Sequence, residues 1–182
     1  MALVVFMRGV NVGGHRRFRP SLLAQELRHL GAVNIGAAGT LVIRARVTRA
    51  KLRAELARLL PFETTIAICD GRDISTLIES EPYARERARP DVVRFISVLT
   101  GSPRSIPVLP MAFPSRGTWL VKILARDRCF IVGQYRRHMK TIGYFGGIDR
   151  VFGVPVTTRN WSTIASIGRV LAAPTARRTT TL

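Results

Sequence analysis

The stretch Leu3-Val4-Val5-Phe6-Met7-Arg8-Gly9-Val10-Asn11-Val12-Gly13-Gly14 decides the fold. Five consecutive apolar residues form a run of strand length, which reads as a buried strand. Arg8-Gly9 ends it, and a glycine-containing loop follows. Loops beyond strand ends are where open α/β sheets usually hold ligands. Glycine lets backbone N–H groups approach an anion closely, and Arg8 can offer a two-pronged guanidinium. Arg8, Asn11, Gly13 and Gly14 are therefore candidate ligand-binding residues. The same spacing also fits a tight turn, with Arg8 in an internal ion pair and Asn11 bonded to local backbone.

Outward from this strand the pattern alternates. Pro20 or Ser21 opens a helix with Leu22, Leu23, Leu27 and Leu30 on one face, and Gly31 stops it. Residues 32–35 and 40–45 are extended. Thr48 is a candidate N-cap for a second helix with Leu52, Leu56, Leu59 and Leu60 inward and Pro61 at its end. Thr64–Cys69 is rich in β-formers. Asp73 is expected to cap a third helix carrying Ile74, Leu77 and Ile78, broken at Pro82. This β-α-β-α-β-α order within about 80 residues points to an α/β or α+β sandwich.

Tyr83–Pro90 is charged and is expected to be a linker. Beyond it Val92–Thr100 reads as a strand and 101–117 as a long Pro/Ser/Gly-rich connection. Trp119–Ala125 and Cys129–Gly133 form a hairpin around Arg126-Asp127-Arg128. Tyr135–Lys140 and Ile148–Val151 are read as helical. A final helix starts near Asn160, with Trp161, Ile164, Ile167 and Leu171 inward. The expected organisation is two small α/β-sandwich (ferredoxin-like) subdomains in one compact chain, at 1–85 and 91–172. A disordered tail is expected at 173–182.

Composition agrees with a folded domain. The chain has 182 residues, 47% hydrophobic and 22% charged, and a chain of this size buries about 70% of its unfolded surface without metal or disulfide. No apolar run approaches the roughly 20 residues of a membrane span, and the apolar opening is too short for a signal-peptide core. Cys69 and Cys129 lie in apolar, strand-like stretches, which reads as reduced, buried thiols in a cytosolic protein. The formal net charge is +18, from 29 basic and 11 acidic residues. Only Lys51, Lys122 and Lys140 among the basic residues are lysine. The excess is +7 over residues 1–90 and +11 over 91–182, so it is not confined to one tail. A G+C-rich coding bias accounts for part of so lopsided an Arg content.

Most catalytic templates fail. His15, His29 and His138 form no metal-spaced pair, and no phosphate-binding Gly-Lys-Ser, nucleophile elbow or Cys-x-x-Cys is present. Neither metal nor cofactor is called for, and no catalytic residue is assigned. Asp70/Asp73 and Glu79/Glu81 read as solvated or capping carboxylates. A second segment carries more promise: Thr157-Thr158-Arg159-Asn160-Trp161-Ser162-Thr163. Hydroxyls and Asn at a helix start satisfy free N–H groups, and the same terminus favours an anion. Arg159 and Asn160 join the candidates, while Trp161 reads as a core anchor. A weaker segment, Tyr135, Arg136, Arg137 and Lys140, interleaves basic and aromatic residues as nucleic-acid binders do.

At these motifs the sequence resembles the bacterial domain-of-unknown-function 1697 family. Its L-R-G-I-N-V-G-G is matched by Met7–Gly14, and its T-x-R-N-W-x-T by Thr157–Thr163. Leu30-Gly31 and Pro82-Tyr83 add to the likeness, which spans about residues 2–171. The family's Q-S-G-N-V stretch is replaced here by Ala37-Ala38-Gly39-Thr40-Leu41. Any ligand contact that its Ser and Asn make is weakened or lost in this chain. The resemblance implies a small cytosolic α+β protein of two similar subdomains and brings no established activity.

Three functional expectations follow. The first is binding of nucleic acid or another polyanion through Arg-rich surfaces. The second is an enzyme or sensor for a small phosphorylated or carboxylated ligand held between the two motifs, with Arg8 and Arg159 reaching one anion. The third is a structural or interaction module whose motifs fasten the subdomains. No membrane partner is expected, and the oligomeric state is not legible.

Overall fold

The computed structural model describes residues 1–11 and 18–174. Gly13 and Gly14, and the tail from 175 onward, lie outside the described residues. The first half runs β1 (Leu3–Met7), α1 (Pro20–Glu26), a 3-10 turn (Arg28–Leu30), β2 (Ala32–Asn34), β3 (Thr40–Ile43), α2 (Arg49–Leu59), β4 (Ile66–Asp70) and α3 (Gly71–Glu79). Its four strands form one antiparallel sheet in the order β2-β3-β1-β4. In chain order these elements alternate as β-α-β-β-α-β, followed by α3.

The second half runs β5 (Val92–Leu99), β6 (Met111–Phe113), β7 (Val121–Asp127), β8 (Phe130–Arg136), α4 (Thr141–Phe152), β9 (Val156–Asn160) and α5 (Trp161–Ala172). Its antiparallel sheet has the order β6-β7-β8-β5-β9. Without the edge strand β6, the order β7-β8-β5-β9 repeats that of the first sheet. The first crossover helix is missing, and the irregular segment from 100 to 120, with β6 inside it, takes its place. The chain is thus α+β, with two sheets of matching strand order.

The apolar run of β1 has a physical reason. Both faces of its sheet are covered, so polar alternation would bury unpaired groups. Leu3, Val5 and Met7 face Leu23 of α1, Leu27 just after it, and Leu52 and Leu56 of α2, while Val4 and Phe6 face the other way. There they enter a central cluster with Val42 and Cys69 of their own sheet, Ile96, Val98, Phe130 and Val132 of the second sheet, and Ile74, Leu77, Ile164 and Ile167 of α3 and α5. A third cluster joins Phe95, Ile123 and Ile131 to Ile148 and Phe152 of α4. Helices α3 and α5 pack closely: a Cβ on Gly168 would sit 2.6 Å from Ile78 Cδ1.

Several local expectations are corrected. Leu22 is 51% exposed, because α1 ends at Glu26 and the tighter 3-10 turn brings Leu27 and Leu30 round to Leu23's face. Thr48 does cap α2, its Oγ1 accepting from the Lys51 N–H at 3.2 Å. Asp73 caps nothing; it sits in the first turn of α3 and pairs with Arg128. Tyr135–Arg136 are strand, not helix, and the glycine-rich segment 143–147 lies inside α4. The expected linker begins with a core residue: Tyr83 is buried and its hydroxyl donates to the carbonyls of Phe95 (2.5 Å) and Gly133 (3.2 Å). Among the described residues no helix is long and apolar enough to cross a membrane.

Candidate functional site

The two motifs meet. β9 pairs with β5 so that Arg159 lies opposite Ile96 and Asn160 opposite Phe95. Ile96 faces the central cluster and Phe95 the outer one, so strand alternation sends Arg159 inward and Asn160 outward. Residues 157–160 were expected at a helix start; their place in a strand buries Arg159, which is 8% exposed. Its guanidinium donates to Thr40 Oγ1 (2.7 Å) and to the carbonyls of Met7 (2.8 Å), Ala38 (2.6 Å) and Thr158 (2.8 Å). Among the described residues no carboxylate pairs with it. Desolvation by burial pushes its pKa down to about 10, so it remains charged at neutral pH. Oriented carbonyl dipoles at the end of β1 and in the β2–β3 loop take the place of a counter-ion.

Gly39 makes this approach possible. It has φ +71°, and a Cβ there would sit 3.0 Å from Met7 Cβ, so only a residue without a side chain brings the loop carbonyls this close to β1. The Ala37–Thr40 stretch, where the resemblance pointed to a lost polar contact, engages Arg159 through backbone oxygens and the Thr40 hydroxyl.

Arg8 is also engaged within the protein. It pairs with Asp149 of α4 at 2.6 Å, and Asp149 accepts the Val156 N–H at 3.0 Å through its other oxygen. Asn11, at φ +57°, donates to the carbonyls of Phe18 (2.8 Å) and Ala37 (2.7 Å) and accepts from the Phe18 N–H (2.8 Å). The expectation that Arg8 and Arg159 share one anion is therefore corrected. Arg159 faces protein oxygens in the interior, Arg8 faces a carboxylate on α4, and both tie the first half to the second.

Asn160 has a different setting. It precedes α5, makes no side-chain cap, and accepts instead from the Tyr135 hydroxyl at 3.3 Å. The Asn160 side chain leaves the first turn of this 12-residue helix uncapped, and a helix start carries a partial positive charge. A groove of about 360 Å³ lies there, lined by Asn160, Trp161 and Ser162, by Gln134 and Val92, and by Arg87, Arg89, Arg94 and Arg137. None of the described residues lining it is acidic. Asp91 stands beside it, within 3.1 Å of Arg89 and Arg136. Arg94 is held in place: it donates to the Glu86 carbonyl at 2.9 Å and lies over the Tyr83 ring at 5.2 Å. Arg136 stacks on Trp119 at 4.8 Å, while Arg137 and Lys140 are exposed. The weaker sequence segment thus lies beside the groove, and Arg87, Arg89 and Arg94 were missed. They fall where a charged linker was expected, and the start of a strand next to it gave no sign that they would face a helix terminus.

A second cavity, of about 500 Å³, lies at the other end of β5 and is lined by Arg49, Arg53, Arg126, Arg128, Asp73, Cys69 and Cys129. Arg49 pairs with Asp70 and Arg128 with Asp73. Both cysteines are free. Desolvation by burial pushes the Cys69 thiol up, and that of Cys129 up to about 11, so neither is a thiolate nucleophile at neutral pH.

A family model for a protein of unknown function, DUF1697, matches residues 1–107. The chain belongs to this family. The matched span holds the first motif and all of the first sheet; the second motif lies beyond it. Among solved structures, the conserved bacterial protein SP0830 from Streptococcus pneumoniae is similar at 18% identity, with a TM-score of 0.57, covering 93% of this chain and 98% of that one. That likeness extends the shared fold over both halves of this DUF1697 chain. No curated protein sequence matches the chain.

Proposed function

We propose that this DUF1697 protein binds nucleic acid or a comparable phosphate polymer, and that the groove at the start of α5 is the contact site. The observation that carries the reading is four arginines, Arg87, Arg89, Arg94 and Arg137, around a helix N-terminus with no acidic lining residue among those described. Guanidinium forks and free helix N–H groups both match phosphate oxygens. The +18 charge of the chain adds a long-range attraction that raises the encounter rate with any polyanion. Phosphate contacts of this kind give affinity with little sequence preference.

The test is a fluorescence-anisotropy titration of labelled single- and double-stranded oligonucleotides at low and moderate salt. Binding is expected at low salt and falls steeply as salt rises. Arg87 and Arg137 are exposed, and Arg137 bonds to the Asp91 carbonyl through its backbone N–H, so replacing both with Ala leaves the fold intact. The double variant is expected to bind more weakly, with a salt slope shallower by about one per arginine removed. Arg58→Ala, on exposed α2, matches one of those charge changes away from the groove and should have little effect. Absence of binding at about 50 mM salt, or an equal loss in Arg58→Ala, overturns the reading.

A further inference from the structure

We propose that the occupant of this groove is a single strand, one of whose bases unstacks into the apolar cavity beside Trp161; this rests on the groove being the phosphate site. The groove does not end at its arginines. A cavity of about 550 Å³ adjoins it and shares Ala88, Arg94 and Trp161 with it. Its other walls are Ile78, Pro82, Tyr83 and Ala84, with Glu81 and Glu86 alongside. The two halves therefore differ in chemistry: one is cationic and without lining carboxylates, the other is apolar and aromatic with two carboxylates.

That division matches a nucleotide unit. Phosphate is excluded from the half that holds Glu81 and Glu86 and is favoured beside the four arginines. An uncharged heterocycle is suited to the apolar half, whose volume lies within the range of ligand pockets. Trp161 stands at the boundary with its ring edge-on to Tyr83 at 5.2 Å between centroids, and Arg94 lies over the other aromatic wall. Tyr83 is buried beneath Arg94, so the half-buried Trp161 is the aromatic wall a base meets, and it accepts any base because every base has a π-face. In a duplex the bases are stacked and paired, so entering the cavity first requires breaking that stack. The exposed residues Arg137, His138, Met139 and Lys140 carry the basic surface past the groove, which provides for a strand longer than one nucleotide.

The test compares an unstructured oligonucleotide of about 12 nucleotides, within the usual site sizes for single-strand binders, with its duplex and with a nucleoside monophosphate at one salt concentration. The single strand is expected to bind at least tenfold more tightly than the duplex, and the monophosphate at least a hundredfold more weakly than the strand. In a Trp119→Phe background, which leaves Trp161 as the sole tryptophan, the strand should quench fluorescence. Ala84 is exposed and lines the apolar cavity but not the groove. Ala84→Leu fills that cavity without changing charge, so it should abolish the preference for single strand and leave duplex affinity unchanged. Equal affinity for strand and duplex, or an Ala84→Leu variant that keeps the preference, overturns base insertion while the groove reading stands. Equal affinity for monophosphate and strand overturns the polymer occupant. No binding of strand or duplex at low salt removes the groove reading itself.

Discussion

Replacing Arg159 with Met tests whether the second motif is a fastening or a ligand site. Met keeps much of the aliphatic volume and removes five hydrogen bonds from a charged donor, to Met7, Ala38, Thr40 and Thr158 and, at 3.4 Å, to Gly39. Such bonds are each worth about 1.5–3 kcal/mol net, and a buried acceptor left unpaired costs about 1–3 kcal/mol. Ala38 is exposed, so its carbonyl regains water. Thr40 is fully buried and does not, and Met7 O still accepts nothing in place of the guanidinium. Against these losses stands relief from burying a guanidinium without a counter-ion, which itself amounts to several kcal/mol. The balance is a destabilisation of about 3–5 kcal/mol, or a fall in Tm of about 10 °C for a chain of this size. Arg159→Lys should fall between, because one ammonium keeps the charge but cannot fork between the Met7 and Ala38 carbonyls and Thr40. Urea unfolding followed by circular dichroism measures both variants. A loss under about 1 kcal/mol for Arg159→Met refutes the reasoning. So does a phosphate-induced rise in Tm of the wild type that the Lys variant lacks, which would make Arg159 a ligand residue.

Further outcomes follow from the same geometry. Asp149→Ala should cost more than Arg8→Ala, because it breaks the ion pair and also leaves the Val156 N–H without its acceptor; the double-mutant coupling energy should be about 1 kcal/mol for so partly exposed a pair, and equal single losses would contradict this. Among the described residues the buried Thr157 hydroxyl has no hydrogen-bond partner, so Thr157→Val should leave stability unchanged or raise it by about 1 kcal/mol; a clear loss in a thermal melt would mean that the hydroxyl is in use. Burial raises the Cys129 thiol from its ordinary 9.0 to about 11, which lowers the thiolate fraction at pH 8. Alkylation of the native protein should therefore run about 100-fold slower than that of a free thiol and accelerate as pH rises towards 11. A rate like that of a free thiol at pH 8 would count against this burial.

The two motifs were legible in the sequence as special, but their meaning was not. Arg8-Gly9 and Arg159-Asn160 carry the residue types of an anion site, and the same types serve to fasten one sheet to another through carbonyls. Spacing along the chain cannot separate these uses, because the Met7, Ala38 and Thr40 oxygens that Arg159 meets lie more than 100 positions away. The assignment of residues 157–160 to a helix start rather than a strand hid the alternation that sends Arg159 inward. The arginines of the groove failed to stand out for a similar reason. Arg87 and Arg89 lie in a charged stretch and Arg94 in a strand, and only the packing of β5 against β9 brings them to the start of α5.

By itself the sequence determined the strands and helices whose apolar runs and stops are strong. These include β1, β5, the leucine faces of α1 and α2, the Thr48 cap and the hydrophobic stripe of α5. Local backbone preference and the period of apolar residues decide these, and both act within a few residues. Tertiary structure decided which polar groups are engaged inside the molecule and which stay exposed. Arg159 is consumed by burial against β1 and the β2–β3 loop, and Arg8 by Asp149. Arg87 and Arg137 stay exposed beside an uncapped helix terminus. Hydrogen-bond satisfaction depends on distances that only the assembled sheets set.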